Sequence, residues 1–301
     1  MNFKVYESNF EAIARKCIMK YGNCEEHHYE HFLNFADDKK KPMFAEFSGQ
    51  GILAFKFKDG KTWQVMREVL APKEQRTTIM LEFADYVLNK LKADTLKIEL
   101  IDDTRKDLLK HLKEKKLRAL KVNYYLDLPL FEMDKWDENL SGKDFKNLRN
   151  VKNKFYKEHK VEFVSHDKVT KDELKRIVHD WRKSRRNTNH ASYQEYLNII
   201  DSDFKGFDET RIMIVDGKHR AITAGWRVPN SEQYYSSLGL IDYSLDRLSE
   251  IANLDDLTYL KSKGYKIVNF GGSEDKLLEF KKKFKPNSMY RTYIFSIKRV
   301  N

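Results

Sequence analysis

Cysteine is nearly absent: Cys17 and Cys24 are the only two in 301 residues. Their spacing fits neither a CxxC zinc pair nor a disulfide framework, so both are read as reduced thiols. No apolar run approaches the roughly 20 residues that a membrane helix needs. The opening MNFKVYESNF lacks the charged, apolar and small-residue regions of a signal peptide. A soluble, cytoplasmic protein is therefore expected. Phosphate loops, dinucleotide fingerprints, HExxH pairs and serine- or cysteine-centred triad signatures are missing as well. His27 and His31 lie four apart and are expected to share a helix face. Without further ligands they read as capping or solvated histidines, and no metal site is expected.

What is present is a globular composition. The chain is 41% apolar and 13% aromatic, enough for a real core in one large domain or two ordinary ones. The net charge of +11 points to an anionic partner such as nucleic acid or a phosphorylated cofactor. The lysines spread along the whole chain, which equally fits a lysine-rich proteome.

Periodicity gives an α+β order that occurs twice. Residues 1–40 read as helices. Residues 43–47 and 52–57 form a hairpin, 62–70 a strand, 74–92 an amphipathic helix, 95–101 a strand, 104–116 a helix and 121–130 a closing strand. In the second half, 211–215 and 219–228 form a hairpin and 233–240 a strand. Then come a helix over 244–263, a strand over 265–270, a helix over 274–285 and a strand over 289–297. LKIELIDDTRKDLLKHLKEK lies on YKIVNFGGSEDKLLEFKKKF without a gap, at an offset of about 170 residues. The expected units are 1–133 and 134–301, the second opening with a basic helical segment over 141–186. Within that segment Ser141 is expected to start a helix running to 159, and a second helix covers 171–183.

Hairpin, strand, helix, strand, helix, strand is the order of the acetyltransferase-like (GNAT) fold. Two such units resemble the C-terminal domain of phosphatidylglycerol lysyltransferases, a branch related to the Fem-type aminoacyltransferases. LSGKDFKNLRNVKNKF is similar to that branch's GK-x-x-x-x-LR-x-x-x-N segment at Gly142, Lys143, Leu148, Arg149 and Asn153. LLEFKKKFKPNSMYR resembles FK-x-KF-x-P-x-W-x-x-R at Phe280, Lys281, Lys283, Phe284, Pro286 and Arg291, with Ser288 in place of Trp. The branch's Asp-Leu-Met-Arg stretch is not recognisable in SSLGLID. The resemblance implies tandem GNAT-like units with mixed central sheets flanked by helices. It also implies transfer of an aminoacyl group from aminoacyl-tRNA to an amine or hydroxyl.

The alternative donor is an acyl-CoA. A CoA-using GNAT binds the pyrophosphate on a glycine-rich turn, and IDYSLDRLSE and LAPKEQRTTI hold no glycine there, so only a degenerate CoA site remains. A third reading is a non-catalytic nucleic-acid- or phosphate-binding module. Candidate catalytic residues are Glu250, as base or amine anchor, and Asn269. Gly271 and Gly272 allow close backbone approach, with Ser273 expected as the helix N-cap. Lys281, Lys283 and Arg291 are candidates for phosphate or carboxylate. Arg149 and Asn153 are candidates on the basic helix, and Trp181 with Arg182, Arg185 and Arg186 offers stacking beside positive charge. The N-terminal copy has Asp102-Asp103 where Gly271-Gly272 stand, which favours the C-terminal copy as the functional one.

Overall fold

The chain traced by the computed structural model, described over residues 2–184 and 193–300, is a succession of strands and helices in two units. It begins with β1 (Lys4–Tyr6), α1 (Glu11–Tyr21), α2 (Tyr29–Asn34), β2 (Lys40–Phe47), β3 (Gln50–Phe57) and β4 (Thr62–Val65). Next come α3 (Arg76–Asp85), β5 (Thr95–Ile101), α4 (Asp102–His111), β6 (Leu117–Ala119) and β7 (Tyr124–Glu132). The middle contains α5 (Lys146–Glu158), β8 (Val161–Val164), α6 (Lys171–Ser184) and α7 (Tyr193–Asp201). The rest is β9 (Glu209–Val215), β10 (Lys218–Arg227), β11 (Gln233–Ile241), α8 (Leu248–Ser262), β12 (Ile267–Asn269), α9 (Asp275–Lys282) and β13 (Ser288–Arg299). Unit 1 comprises Met1–Leu128, Val228–Ser231 and Tyr290–Asn301; unit 2 comprises Pro129–Arg227 and Glu232–Met289. The units are thus not consecutive halves, since most of β13 belongs to the first.

In unit 1, β1 to β4 pair antiparallel in order, and β4 pairs β5 in parallel. β13 then runs antiparallel to β5, from Thr292 opposite Ile101 to Ile297 opposite Leu96. Successive side chains point to opposite faces of a strand. Met43, Ile52 and Ala54 accordingly pack with α3 and α4, whereas Phe44, Leu53 and Phe55 pack with α1 and α2. Cover on both faces explains why β3 reads as a continuous apolar run.

Unit 2 repeats the plan. β9, β10 and β11 pair antiparallel, β11 pairs β12 in parallel, and β12 runs antiparallel to residues 130–132 of β7. Leu174, Ile177, Trp181, Ile199 and Ile200 of α6 and α7 cover one face, against Ile212, Ile222, Leu238 and Leu240. Residues of α5 and α8 cover the other. The expected mixed sheets flanked by helices are therefore present.

Several boundaries differ from expectation. β4 ends at Val65 rather than at 70, because Arg67 adopts φ +61 and turns the chain. The helix expected over 74–92 is α3 followed by a π-helical turn, Tyr86–Lys90. Ser141 does not start a helix: its N–H donates to Asp137 within a turn, and α5 begins at Lys146. His27 lies ahead of α2, so it shares no helix face with His31; His28 instead caps α2 by accepting from the His31 N–H at 3.1 Å. Both His27 and His31 are buried rather than solvated. Strands β1 and β8 and helix α7 were not foreseen, being short or weakly periodic.

Arg67 anchors a buried polar network in unit 1. Its guanidinium donates to Glu99 Oε1 and to Glu25 Oε1, both at 2.8 Å. Thr292 Oγ1 donates to the same Glu99 oxygen at 2.6 Å, and the Tyr290 hydroxyl donates to Glu25 Oε2 at 3.0 Å. Burial raises the Glu99 carboxyl above its ordinary range. Removing one partner of such a buried pair leaves an uncompensated charge. Arg67→Met is therefore expected to destabilise the protein by about 3–5 kcal/mol in urea unfolding, and a loss below about 1 kcal/mol would contradict this.

His27 gives a pH signature. Its Nε2 bonds the Glu68 carbonyl at 2.9 Å, and burial pushes its imidazole down to about 4. The folded state then binds fewer protons than the unfolded state between the unfolded value near 6.5 and about 4. The contribution is full above that window and falls by about 1.4 kcal/mol per pH unit through it. Stability against pH should be correspondingly flatter in His27→Gln than in the wild type; parallel curves would rule this out.

Candidate functional site

β11 and β12 pair in parallel at three positions only: Gln233 with Ile267, Tyr234 with Val268, and Tyr235 with Asn269. There β12 ends, while β11 continues to Ile241 along β10. From Ser236 onward, β11 backbone groups on that side face no strand among the described residues. A bulge falls at the same point. Gly225 opposes Ser236 and Ala224 opposes Leu238, so Ser237 is the extra residue. The bulge reverses the side-chain alternation: Tyr234 packs with Leu254 and Leu257 of α8, whereas Leu238 packs with α6 and α7. Gly225 is required opposite the bulge, because a Cβ there would lie 2.0 Å from the Tyr235 carbonyl oxygen.

The chain leaves β12 through a turn that the predicted glycines build. Asn269 is fully buried, and its Oδ1 accepts from the Gly271 N–H at 2.9 Å. Gly271 has φ +75, and a Cβ would press on the Tyr235 ring at 3.2 Å. Gly272, half-buried, follows. Ser273 is not the N-cap of α9. Glu274 holds that position with extended backbone, and the Ser273 hydroxyl donates back to the Gly271 carbonyl at 3.2 Å. Lys281, from α9, is buried and donates to the carbonyls of Phe270 and Gly271. Its ammonium therefore holds the turn, where the sequence had assigned it to an anionic ligand.

Glu250 and Lys283 do meet, but with each other. Lys283 Nζ lies 3.0 Å from Glu250 Oε1, and Arg247 adds a longer contact at 3.9 Å. The acid singled out in the sequence is thus already neutralised. A second acid of α8, Asp256, was missed. It is buried, and its Oδ2 accepts from Ser236 Oγ at 2.9 Å, beside the bulge. Burial raises its carboxyl above the ordinary aspartate range. The available signal was its position between Ala252 and Leu260, four residues away on either side and both apolar, which puts it on the inward face.

The remaining predicted residues lie elsewhere. Arg291 is in unit 1, in a bidentate pair with Asp127 at 2.8 and 2.9 Å and over the Tyr125 ring. Arg149 is turned onto the carbonyls of Leu140 and Gly142. Trp181 is 2% exposed and packs edge-on against Tyr196, so it offers no surface for base stacking. Asn153 is exposed on α5 and Arg182 half-buried on α6. Arg185 and Arg186 lie outside the described residues. A groove of about 440 Å³ in unit 1, lined by Leu109, Leu112, Leu117 and Phe295 with Arg105 and Lys113, contains no acid. Among the described residues no His, Cys, Asp and Glu group could hold a metal.

Mixed sheets with a parallel pair that opens beside a bulge, in the element order set out above, belong to the GNAT-like fold class. The sequence matches the phosphatidylglycerol lysyltransferase C-terminal family over residues 23–295, and the chain belongs to that family. Its fold is similar to the C-terminal domain of a putative lysylphosphatidylglycerol synthetase from Agrobacterium fabrum. That match has TM-score 0.66 and 18% identity, over 98% of this chain and 92% of that one. It is similar also to L-PGS from Bacillus licheniformis, with TM-score 0.67 and 15% identity over 98% and 93%. FemX gives TM-score 0.59 and 10% identity over 97% and 96%. No curated protein matches the sequence. Family and fold together support an acyl or aminoacyl transferase. No helix among the described residues is long and apolar enough to cross a membrane.

The turn's dependence on Lys281 is measurable. Lys281→Met leaves two buried carbonyls without their charged donor and should cost about 1.5–3 kcal/mol in urea unfolding. Lys282→Met, whose pair with Glu279 is exposed on both sides, should cost less than about 1 kcal/mol. Equal losses would contradict the assignment.

Proposed function

We propose that this chain moves an aminoacyl group from aminoacyl-tRNA to an amine or hydroxyl acceptor, in the cleft of unit 2 where β11 leaves β12. The observation that carries the reading is the contrast between the two parallel strand pairs. In unit 1, β4 and β5 also pair at only three positions, ending at Gln64 and Lys97. There the Arg67–Glu99 ion pair bridges the strands just beyond. In unit 2 the last pair is followed on β11 by Ser236 and Ser237, both half-buried, and after β12 by Phe270 and Gly271, and none of these four residues carries a charge. Backbone N–H groups beside the bulge are suited to an ester carbonyl whose oxygen gains charge during attack.

The start of α8 favours aminoacyl-tRNA over acyl-CoA as the donor. A diphosphate is bound by bare backbone N–H groups at a helix N-terminus. Residues 242–247 contain no glycine, so the turn into α8 lacks the open backbone on which the diphosphate of acyl-CoA would sit. Lys146, Asn150, Asn153, Lys154 and Lys157 form an exposed stripe along α5, suited to the phosphates of tRNA.

Purified protein incubated with charged tRNAs and amine or hydroxyl acceptors should release tRNA from its aminoacyl group only when an acceptor is present. The reading fails if no tRNA is deacylated and none binds at low salt. CoA should leave the melting temperature unchanged, and a stabilising shift would favour an acyl-CoA donor. Filling the cleft with Ser237→Trp should lower transfer at least about tenfold in protein that remains folded.

A further inference from the structure

Glu250 is tied to Lys283 and Arg247, which leaves the acceptor's departing proton without a destination there. We propose that Ser236 and Asp256 form a proton relay for acyl transfer, with Ser236 touching the acceptor and Asp256 acting through it. The proposal rests on the reading of the unit 2 cleft as the transfer site.

Ser236 is the first residue of β11 past the last parallel pair, and it is half-buried, at the edge of the opening. Its hydroxyl donates to Asp256 Oδ2 at 2.9 Å, so its oxygen can accept a proton while passing its own to the carboxylate. Asp256 reaches this strand from α8 and is almost wholly buried, and the half-buried Ser236 joins it to the edge of the opening. The charged and titratable groups facing it are Arg211 of β9, Asp255 of α8 and Tyr234 of β11, with Thr223 of β10 as a further hydroxyl. Asp255 is engaged elsewhere, accepting from the Tyr156 hydroxyl. Arg211 is held between the Phe163 and Tyr259 rings, at 3.9 and 4.1 Å, and donates to the Asp255 carbonyl at 3.1 Å. Burial raises the Asp256 carboxyl, which brings a carboxylate closer to the working range of a base.

The step balances. As the acceptor nitrogen or oxygen bonds to the ester carbon, its proton passes to Ser236 Oγ while the serine's own proton passes to Asp256 Oδ2. When the ester C–O bond breaks, the leaving ribose oxygen takes a proton from Ser236, and Asp256 returns its proton to the serine. No oxidant, metal or further reactant is consumed.

The experiment compares wild type, Asp256→Asn, Asp256→Glu and Ser236→Ala in acceptor-dependent deacylation of charged tRNA across pH, with folding checked by circular dichroism. Wild-type rate should rise with pH as Asp256 ionises. Asp256→Asn and Ser236→Ala should each lose about 100-fold and flatten that limb, while Asp256→Glu restores part of it. The ¹³C carboxyl signal assigned by difference against Asp256→Asn should titrate above the ordinary aspartate range, and higher still in Ser236→Ala. If wild type transfers and Asp256→Asn matches it in rate and pH profile, the relay is wrong and the cleft reading stands. If wild type transfers nothing, the cleft reading fails and the relay falls with it. An unshifted carboxyl signal also overturns the relay, whatever the rates.

Discussion

Two parallel strands that pair at three positions and then separate impose the main constraint on unit 2. β12 is only three residues long, so β11 beyond Tyr235 has backbone polar groups on that side to be satisfied by other means. The chain meets this with local devices. The bulge at Ser237 redirects β11, and Gly225 makes room for it. Asn269 holds the Gly271 N–H, and Lys281 takes the Phe270 and Gly271 carbonyls. Buried polar groups that are satisfied in this way define one conformation, and a half-satisfied set would not.

The same topology yields a different result in unit 1. There the third residue past the parallel pair is Arg67, in a left-handed conformation uncommon for a side chain of its size. Its guanidinium bridges Glu99 of β5 and Glu25. One copy of the plan is thus closed by an ion pair, while the other carries two small hydroxyl residues. The sequence contrast between Asp102-Asp103 and Gly271-Gly272 points the same way, and the structure adds its own reason. The decisive difference lies on the strand before the helix as much as on the turn after it.

Much of the fold was legible because β3, covered on both faces, reads as an apolar run, and β5, buried at every second residue, reads as a clean alternation. Strand β5 falls where its pattern predicts, over 95–101. The site was legible only in part. Gly271-Gly272 announces a turn, yet nothing local reveals that Lys281 serves that turn or that Arg291 pairs with Asp127, 164 residues away in sequence. Trp181 beside arginines reads as a stacking surface until burial shows it to be core. Arg67 was invisible because its partners are 32 and 42 residues distant and its left-handed backbone has no glycine to signal it. Asp256 was missed although Ala252 and Leu260, four residues away on either side, put it on the inward face of α8. Long-range pairing of charged groups is set by topology, and periodicity reports only which face a residue occupies.

The central claim, that acyl chemistry belongs to the opening between β11 and β12, is tested most directly by a crystal structure with a hydrolysis-resistant 3′-aminoacyl-amino-adenosine. The account predicts the aminoacyl carbonyl oxygen within hydrogen-bond distance of a β11 backbone N–H beyond Tyr235, beside the Ser236 hydroxyl. An analogue seated against the Arg67 network of unit 1, with the unit 2 opening empty, would contradict it.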